Sequence, residues 1–387
     1  MPLLALCYSL ILTACHGSPT GSGGAGITWE PGTGDGAGIA AAPLAGMPAL
    51  LDPHDVYAAD RPGALSPVVK GFPSRIYVPN SDSDTVDVID PATMTIVDHF
   101  GVGHQPQHVV PSYDLKMLYA TNDLSNTLTP IDPATGKPGE AISVADPYNM
   151  YFTPDGKAAI VVAERLERLD FRDPHTFAMQ DSLPVPCAGV DHMDFSADGT
   201  YLVASCEFAG SLIKVDVAQR KVVGMLGLPK HGKTLGKPQD VKLSPDGRIF
   251  YVADMNAGGV YLIDGVTMRM LGFLRTGSNT HGLYVSRDSK YLYVTNRGEG
   301  SISVIDFATR QIATTWHIPG GGSPDMGGVS ADGRVLWLSG RYHAEVYALD
   351  TSSGRLIGRI KVGKGPHGLC VYPQPGRYSL GHTGILR

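Results

Sequence analysis

From Arg75 to Tyr372 the chain repeats one unit at a spacing of about 40–48 residues, and no other feature narrows the fold so far. The clearest copy runs from Gly277 to His317. A polar lead-in ending at His281 precedes Leu283-Tyr284-Val285, and the turn Ser286-Arg287-Asp288-Ser289 leads into Tyr291-Leu292-Tyr293-Val294-Thr295-Asn296. Ser301 to Asp306 and Arg310 to Trp316 complete it. These are four short runs rich in β-branched and aromatic residues, separated by turn formers, so each unit predicts a four-stranded antiparallel sheet. Such a unit cannot bury both faces alone; stacking against its neighbours does that. With 48 Gly, 29 Pro and only 18% charged residues against 43% apolar ones, the composition suits a turn-rich β protein and excludes global disorder.

The copies can be counted at both ends of the hairpin that opens each unit. The innermost strands end at Ser112, Thr153, Ser196, Ser244, Ser286, Ser330 and Tyr372, and the second strands end at Asn80, Asn122, Glu164, Cys206, Asp254, Asn296 and Gly340. Both counts give seven, but they are offset. The first unit lacks an inner strand, and a lone one, His367 to Tyr372, comes last. A seven-bladed β-propeller closed by that C-terminal strand accounts for the offset and leaves no sheet edge open. Residues 75–387 are assigned to it.

Tyr293-Val294-Thr295-Asn296, then Ser303-Val304-Ile305-Asp306, with Ser244-Pro245-Asp246-Gly247 elsewhere, resembles the YVTN (YncE-like) family of bacterial β-propellers. The resemblance covers roughly residues 75–373 and implies an extracytoplasmic seven-bladed propeller. It brings no catalytic set, because the motif residues belong to strands and turns. Seven-bladed propellers of the haem d1 and lactonase types are more distant analogues.

Residues 1–14 form a short apolar stretch of the size of a secretion-signal core, and Leu12-Thr13-Ala14-Cys15 resembles a lipobox. That resemblance implies a signal removed before Cys15, lipid on Cys15, and a protein tethered to the cell envelope outside the cytoplasm. An ordinary secretion signal is the alternative. Residues 15–43 read as a Gly/Ser-rich tether, and 44–74, which carries Leu50, Leu51, Val56, Tyr57 and Leu65, as an extension packing on the domain. No apolar run reaches the roughly 20 residues of a membrane-spanning helix.

In a propeller the inner strands begin, and the second strands end, at one mouth of the central channel. Five positions before each strand-ending residue stand Gln107, Tyr148, Asp191, Gln239, His281, Asp325 and His367; next come His108, Asn149, His192, Asp240, Gly282, Met326 and Gly368. Alternation of strand side chains lets only part of each set face the channel. His108, His192, His281 and His367, with Asp191, Asp240 and Asp325, are therefore candidate ligands of a divalent or copper ion. The alternatives are a solvated polar ring that serves backbone amides and a small-molecule or anion site. Arg297 and Arg341, from adjacent units, suit a carboxylate or phosphate, unless each pairs locally with Glu299 or Glu345. Tyr148 and Asn149 complete the candidate mouth.

Cys187 and Cys206 fall at the same mouth, either as a disulfide in an oxidising compartment or as a free soft-metal pair; Cys370 reads as a buried small residue. The sequence holds no Gly-x-Ser-x-Gly elbow, P-loop, His-Glu-x-x-His, EF-hand loop or haem-attachment motif. A net charge of −6 disfavours nucleic acid as a partner. The expectation is a lipid-anchored module binding a small molecule or protein at its mouth. The alternative is a metal- or tetrapyrrole-binding, oxidoreductase-like protein or a lactonase-type hydrolase.

Overall fold

The computed structural model describes residues 42–382 and 384–387, so the expected signal, the expected lipid site at Cys15 and nearly all of the expected tether lie outside the described residues. Seven antiparallel sheets follow one another along the chain. Their inner strands are Pro106–Pro111, Asn149–Phe152, Val190–Phe195, Pro238–Leu243, Thr280–Val285 and Pro324–Val329 for blades 2 to 7. Blade 1 takes its inner strand, Cys370–Tyr372, from the far end of the chain; it pairs antiparallel with Arg75–Asn80, Tyr372 opposite Arg75 and Cys370 opposite Tyr77. The closing ladder is shorter than the expected His367–Tyr372. Bridges from Asn80 to Pro366 and from His108 to Gly368 hold the residues before it. In blade 2 the outer strand is split into Lys137–Pro138 and Ile142–Ser143, both paired with Thr127–Asp132.

The repeated residues act locally. At the end of the second strand, the Asn80, Asn122 and Asn296 amides each donate to two side chains of the third strand: Thr85 and Asp87, Thr127 and Thr129, Ser301 and Ser303. This locks the hairpin turn at the mouth. At the other end, the Ser244 hydroxyl donates to Asp246 and accepts the Ile249 amide at 2.9 Å, while Gly247 takes the left-handed φ of 71° that the turn needs. Second strands such as Ile249–Asp254 are buried throughout, because adjacent blades cover both faces; fourth strands such as Lys221–Gly227 alternate toward solvent.

The extension lies along the base, opposite the mouth. Its amides bond the turns of blades 4, 5 and 7: Leu44 to Asp198, Val56 to Pro245, Gly63 to Ala331. The Tyr57 hydroxyl donates to the Leu243 carbonyl at 2.7 Å. The chain also does not end its structure at the closing strand. Residues beyond it return as the hairpin Ser379–Gly381 and Ile385–Leu386, which adds to the inner edge of blade 3 and makes that sheet six-stranded. Arg387 anchors the hairpin by a buried 3.0 Å bond to Asp194 and by resting on the Tyr57 ring.

Asp60 lies in this seam, 3.8 Å from Arg287. Burial, partly offset by Arg287 and Arg387, pushes its carboxyl up to about 6. A raised folded-state value means that the folded chain keeps a proton which the unfolded chain sheds near pH 4. Stability present at low pH is therefore lost as pH rises through 6. Asp60→Asn should consequently gain on the parent by on the order of 1 kcal/mol between about pH 5 and about pH 7.5, measured by urea unfolding. A difference that does not change with pH would contradict this.

Candidate metal centre on the channel axis

Inner strands of neighbouring blades diverge, so the amides on their axial edge need side-chain partners. The Tyr151 hydroxyl accepts the Met193 amide at 3.1 Å, Asp194 the Leu243 amide at 2.9 Å, Asp240 the Leu283 amide at 2.9 Å and Tyr284 the Gly327 amide at 2.6 Å. Asp240, a candidate ligand, is thus occupied by the Leu283 and Val241 amides. Burial raises its carboxyl to about 6.

At the mouth-side start of the inner strand, blades 2, 4, 5, 6 and 7 each carry an irregularity with one extra residue opposite the second strand, as between Val190 and Met193. Such a bulge re-aims side chains. Strict alternation fails here: Asp191 and His192, consecutive in sequence, lie with Oδ1 and Nε2 3.1 Å apart. Hydroxyls one residue before the second-strand ends satisfy the bulged amides. Thr121 serves His108, Ser205 serves His192, Thr295 serves Gly282 and Ser339 serves Met326. Gly368 clears space for His108, since a Cβ there would lie 2.0 Å from its Nδ1.

Five imidazoles meet on the axis in two layers. In the layer nearer the mouth, Asp325 stands 3.1 Å from His281, 3.7 Å from His367 and 3.1 Å from Arg297, and His367 Nδ1 meets Gln107 at 3.0 Å. In the deeper layer are His108, His192 and His382, with ring centroids 4.8–5.4 Å apart. His367 lies 4.9 Å from His108, joining the layers. In each of the groups His108, His192, His382 and His281, Asp325, His367, one donor atom per residue lies within 4.8 Å of the others.

The layers differ in what is left unmet. Asn149 reaches Nδ1 of both His192 (3.2 Å) and His382 (2.9 Å). The Nε2 of His382 and both ring nitrogens of His108 are buried without a hydrogen bond among the described residues, and the Nε2 of His192 has only the Asp191 oxygen at 3.1 Å beside it. As placed, the Asn149 nitrogen donates to both Nδ1 atoms and its oxygen accepts the Met150 amide at 2.8 Å, so for both Nε2 atoms to bind a cation the Asn149 amide must turn over, giving up the Met150 bond, and both Nδ1 atoms must carry protons. Burial holds all five imidazoles well below their usual range, His192 at about 3, so they are neutral donors near pH 7. Burial beside Glu207 and Glu164 pushes Asp191 up. In the outer layer most donors are already engaged.

The remaining sequence candidates are placed as follows. Tyr148 packs edge-on against His108. Arg297 pairs with Asp325, not Glu299, and Glu345 is taken by Arg359 and Lys361, not Arg341. Gln239 turns to the carbonyls of Lys237 and Pro238. Cys187 and Cys206 form a disulfide, which removes them as soft-metal ligands, and Cys370 is a buried free thiol. His382 escaped the sequence reading because it lies outside the repeat. The signal available was the apolar density of Tyr378, Leu380, Ile385 and Leu386 beyond the closing strand, more than a linker carries.

His382 depends on its neighbour. Gly381 has φ 99°, and a Cβ on it would stand 2.4 Å from Tyr151 Cα, while the His382 amide bonds the Met150 carbonyl at 2.8 Å. Gly381→Ala should cost about 2 kcal/mol or more and accelerate amide exchange at His382. Gly272→Ala, on an outer strand where a Cβ would meet no atom within 4 Å, should cost far less. Equal effects would contradict the placement of His382.

The family model for YncE-like β-propellers matches residues 55–174 and 230–375. YncE of Salmonella typhi is 24% identical over 275 residues, covering 65% of this chain and 73% of that protein. Among solved structures, Kuenenia stuttgartiensis hydrazine synthase superposes with a TM-score of 0.62 at 19% identity, covering 75% of this chain and 98% of that one. Dihydro-heme d1 dehydrogenase NirN in complex with DHE does so with a TM-score of 0.58 at 16% identity, covering 84% and 78%. These likenesses show a shared fold. With a matched family model over most of the described body and the same seven-sheet ring, this chain belongs to the YncE-like β-propeller family.

Proposed function

We propose that this propeller binds a metal, holding one Zn²⁺ or copper ion on its axis through His108, His192 and His382, with Asp191 adjacent. The observation that carries the reading is the convergence of three fully buried, neutral imidazoles in which both ring nitrogens of His108 and the Nε2 of His382 have no hydrogen bond, while the Nε2 of His192 has only the Asp191 carboxyl beside it. A buried polar atom without a partner costs about 1–3 kcal/mol, so a cluster of them is expensive unless it serves a ligand. Imidazoles with a carboxylate suit Zn²⁺ and copper better than Mg²⁺ or Ca²⁺, which favour oxygen ligands. Asn149 would orient two of the rings. The Cys187–Cys206 disulfide supports an oxidising compartment outside the cytoplasm, to which the leader and a lipid on Cys15 would direct and fix the chain.

The test is metal retention. Protein stripped with chelator, loaded with Zn²⁺ or with copper and dialysed should keep one ion per chain by elemental analysis. His382→Ala should lose it, and Asn149→Ala should bind about 10- to 100-fold more weakly. Failure of the parent to retain either metal would overturn the reading.

A further inference from the structure

The outer layer carries a different chemistry. Arg297 and Arg341 follow directly on the second-strand ends of adjacent blades, at Asn296 and Gly340, so both stand at the mouth. Arg297 is buried against Asp325, Met255 and the Tyr342 ring, yet its Nε has no hydrogen bond; Nη1 of Arg341 is buried and equally unmet among the described residues. Asp325 bonds Arg297 at 3.1 Å and lies within electrostatic reach of Arg341. Glu299 serves the Ser301 hydroxyl and the Ser278 amide, and Glu345 serves Arg359 and Lys361. Across the mouth, Asp123 and Asp146 share Arg165, Glu207 pairs with Lys237, and burial beside Glu207 pushes Glu164 up to about 8. The two guanidinium groups therefore carry one positive charge more than their own acid balances, beside neutral imidazoles in a water-poor setting.

We infer that Arg297 and Arg341 form a receptor for a small oxyanion, a carboxylate or phosphate group, at the channel mouth above the axial imidazoles. A planar oxyanion matches the donor fork of a guanidinium, and one anion supplies both the missing charge and acceptors for the orphaned N–H groups. The inference stands apart from the metal reading, since none of its residues belongs to the deeper layer.

The test is calorimetric titration of chelator-treated full-length protein with inorganic phosphate and, separately, with citrate, using chloride as a control. Saturable binding of one or both is expected, and the stronger of the two identifies the source of the oxyanion. Arg341→Gln should weaken it at least tenfold while the melting temperature stays near the parent value. Arg341→Lys, which keeps the charge but not the fork, should fall between. Absence of saturable binding of both probes, or unchanged affinity in both variants, would overturn the inference.

Discussion

The axial edge of the seven inner strands governs this molecule. A strand edge that pairs with nothing exposes amides, and in a propeller seven such edges face one another across a narrow channel. The chain answers with side chains sent from one blade to the next. Tyr151 covers the edge of blade 4, Asp194 that of blade 5, Asp240 that of blade 6 and Tyr284 that of blade 7. Between blades 1 and 2 the strand edges meet through backbone bonds, with the Val109 amide on the Gly368 carbonyl and the Gly368 amide on the Gln107 carbonyl. This is why the axis is polar although the blades are apolar. It also separates polar groups that hold the ring from those with no structural duty.

By that division, Asp194, Asp240, Tyr151 and Tyr284 belong to the architecture, and His108, His192, His382 and Asp191 are the surplus. Burial keeps the imidazoles neutral, while Arg297 and Arg341 stand in the layer above. The arrangement stacks neutral nitrogen donors beneath a cationic rim. One of its donors, His382, comes from the C-terminal segment, so the hairpin added to the inner edge of blade 3 also completes the imidazole set.

The ring was legible in the sequence because its causes are local and repeated. Turn chemistry at Ser244-Pro245-Asp246-Gly247, the Thr295-Asn296 strand end and the offset between the two strand counts each follow from hydrogen bonds within one blade or between its first two strands. The axial site was only partly legible. Four of its five histidines occupy two consecutive repeat positions, His281 and His367 the first, His108 and His192 the second. The bulges that turn Asp191 and His192 to the same side leave no mark in residue pattern, because an extra residue in a polar lead-in looks like any loop. Arg297 and Arg341 each had a nearby acid in sequence, yet the acid that counts for Arg297 lies on the next blade. His382 has no repeat position at all, and only packing of the hairpin on blade 3 places it.

The most direct measurement of the central claim is anomalous diffraction from crystals of the protein loaded with zinc, recorded on both sides of the zinc edge. The account predicts a single strong peak on the axis, within bonding distance of His108, His192 and His382. A protein that takes up the metal stoichiometrically yet shows its peak among surface residues, with the axial imidazoles undisturbed, would contradict it.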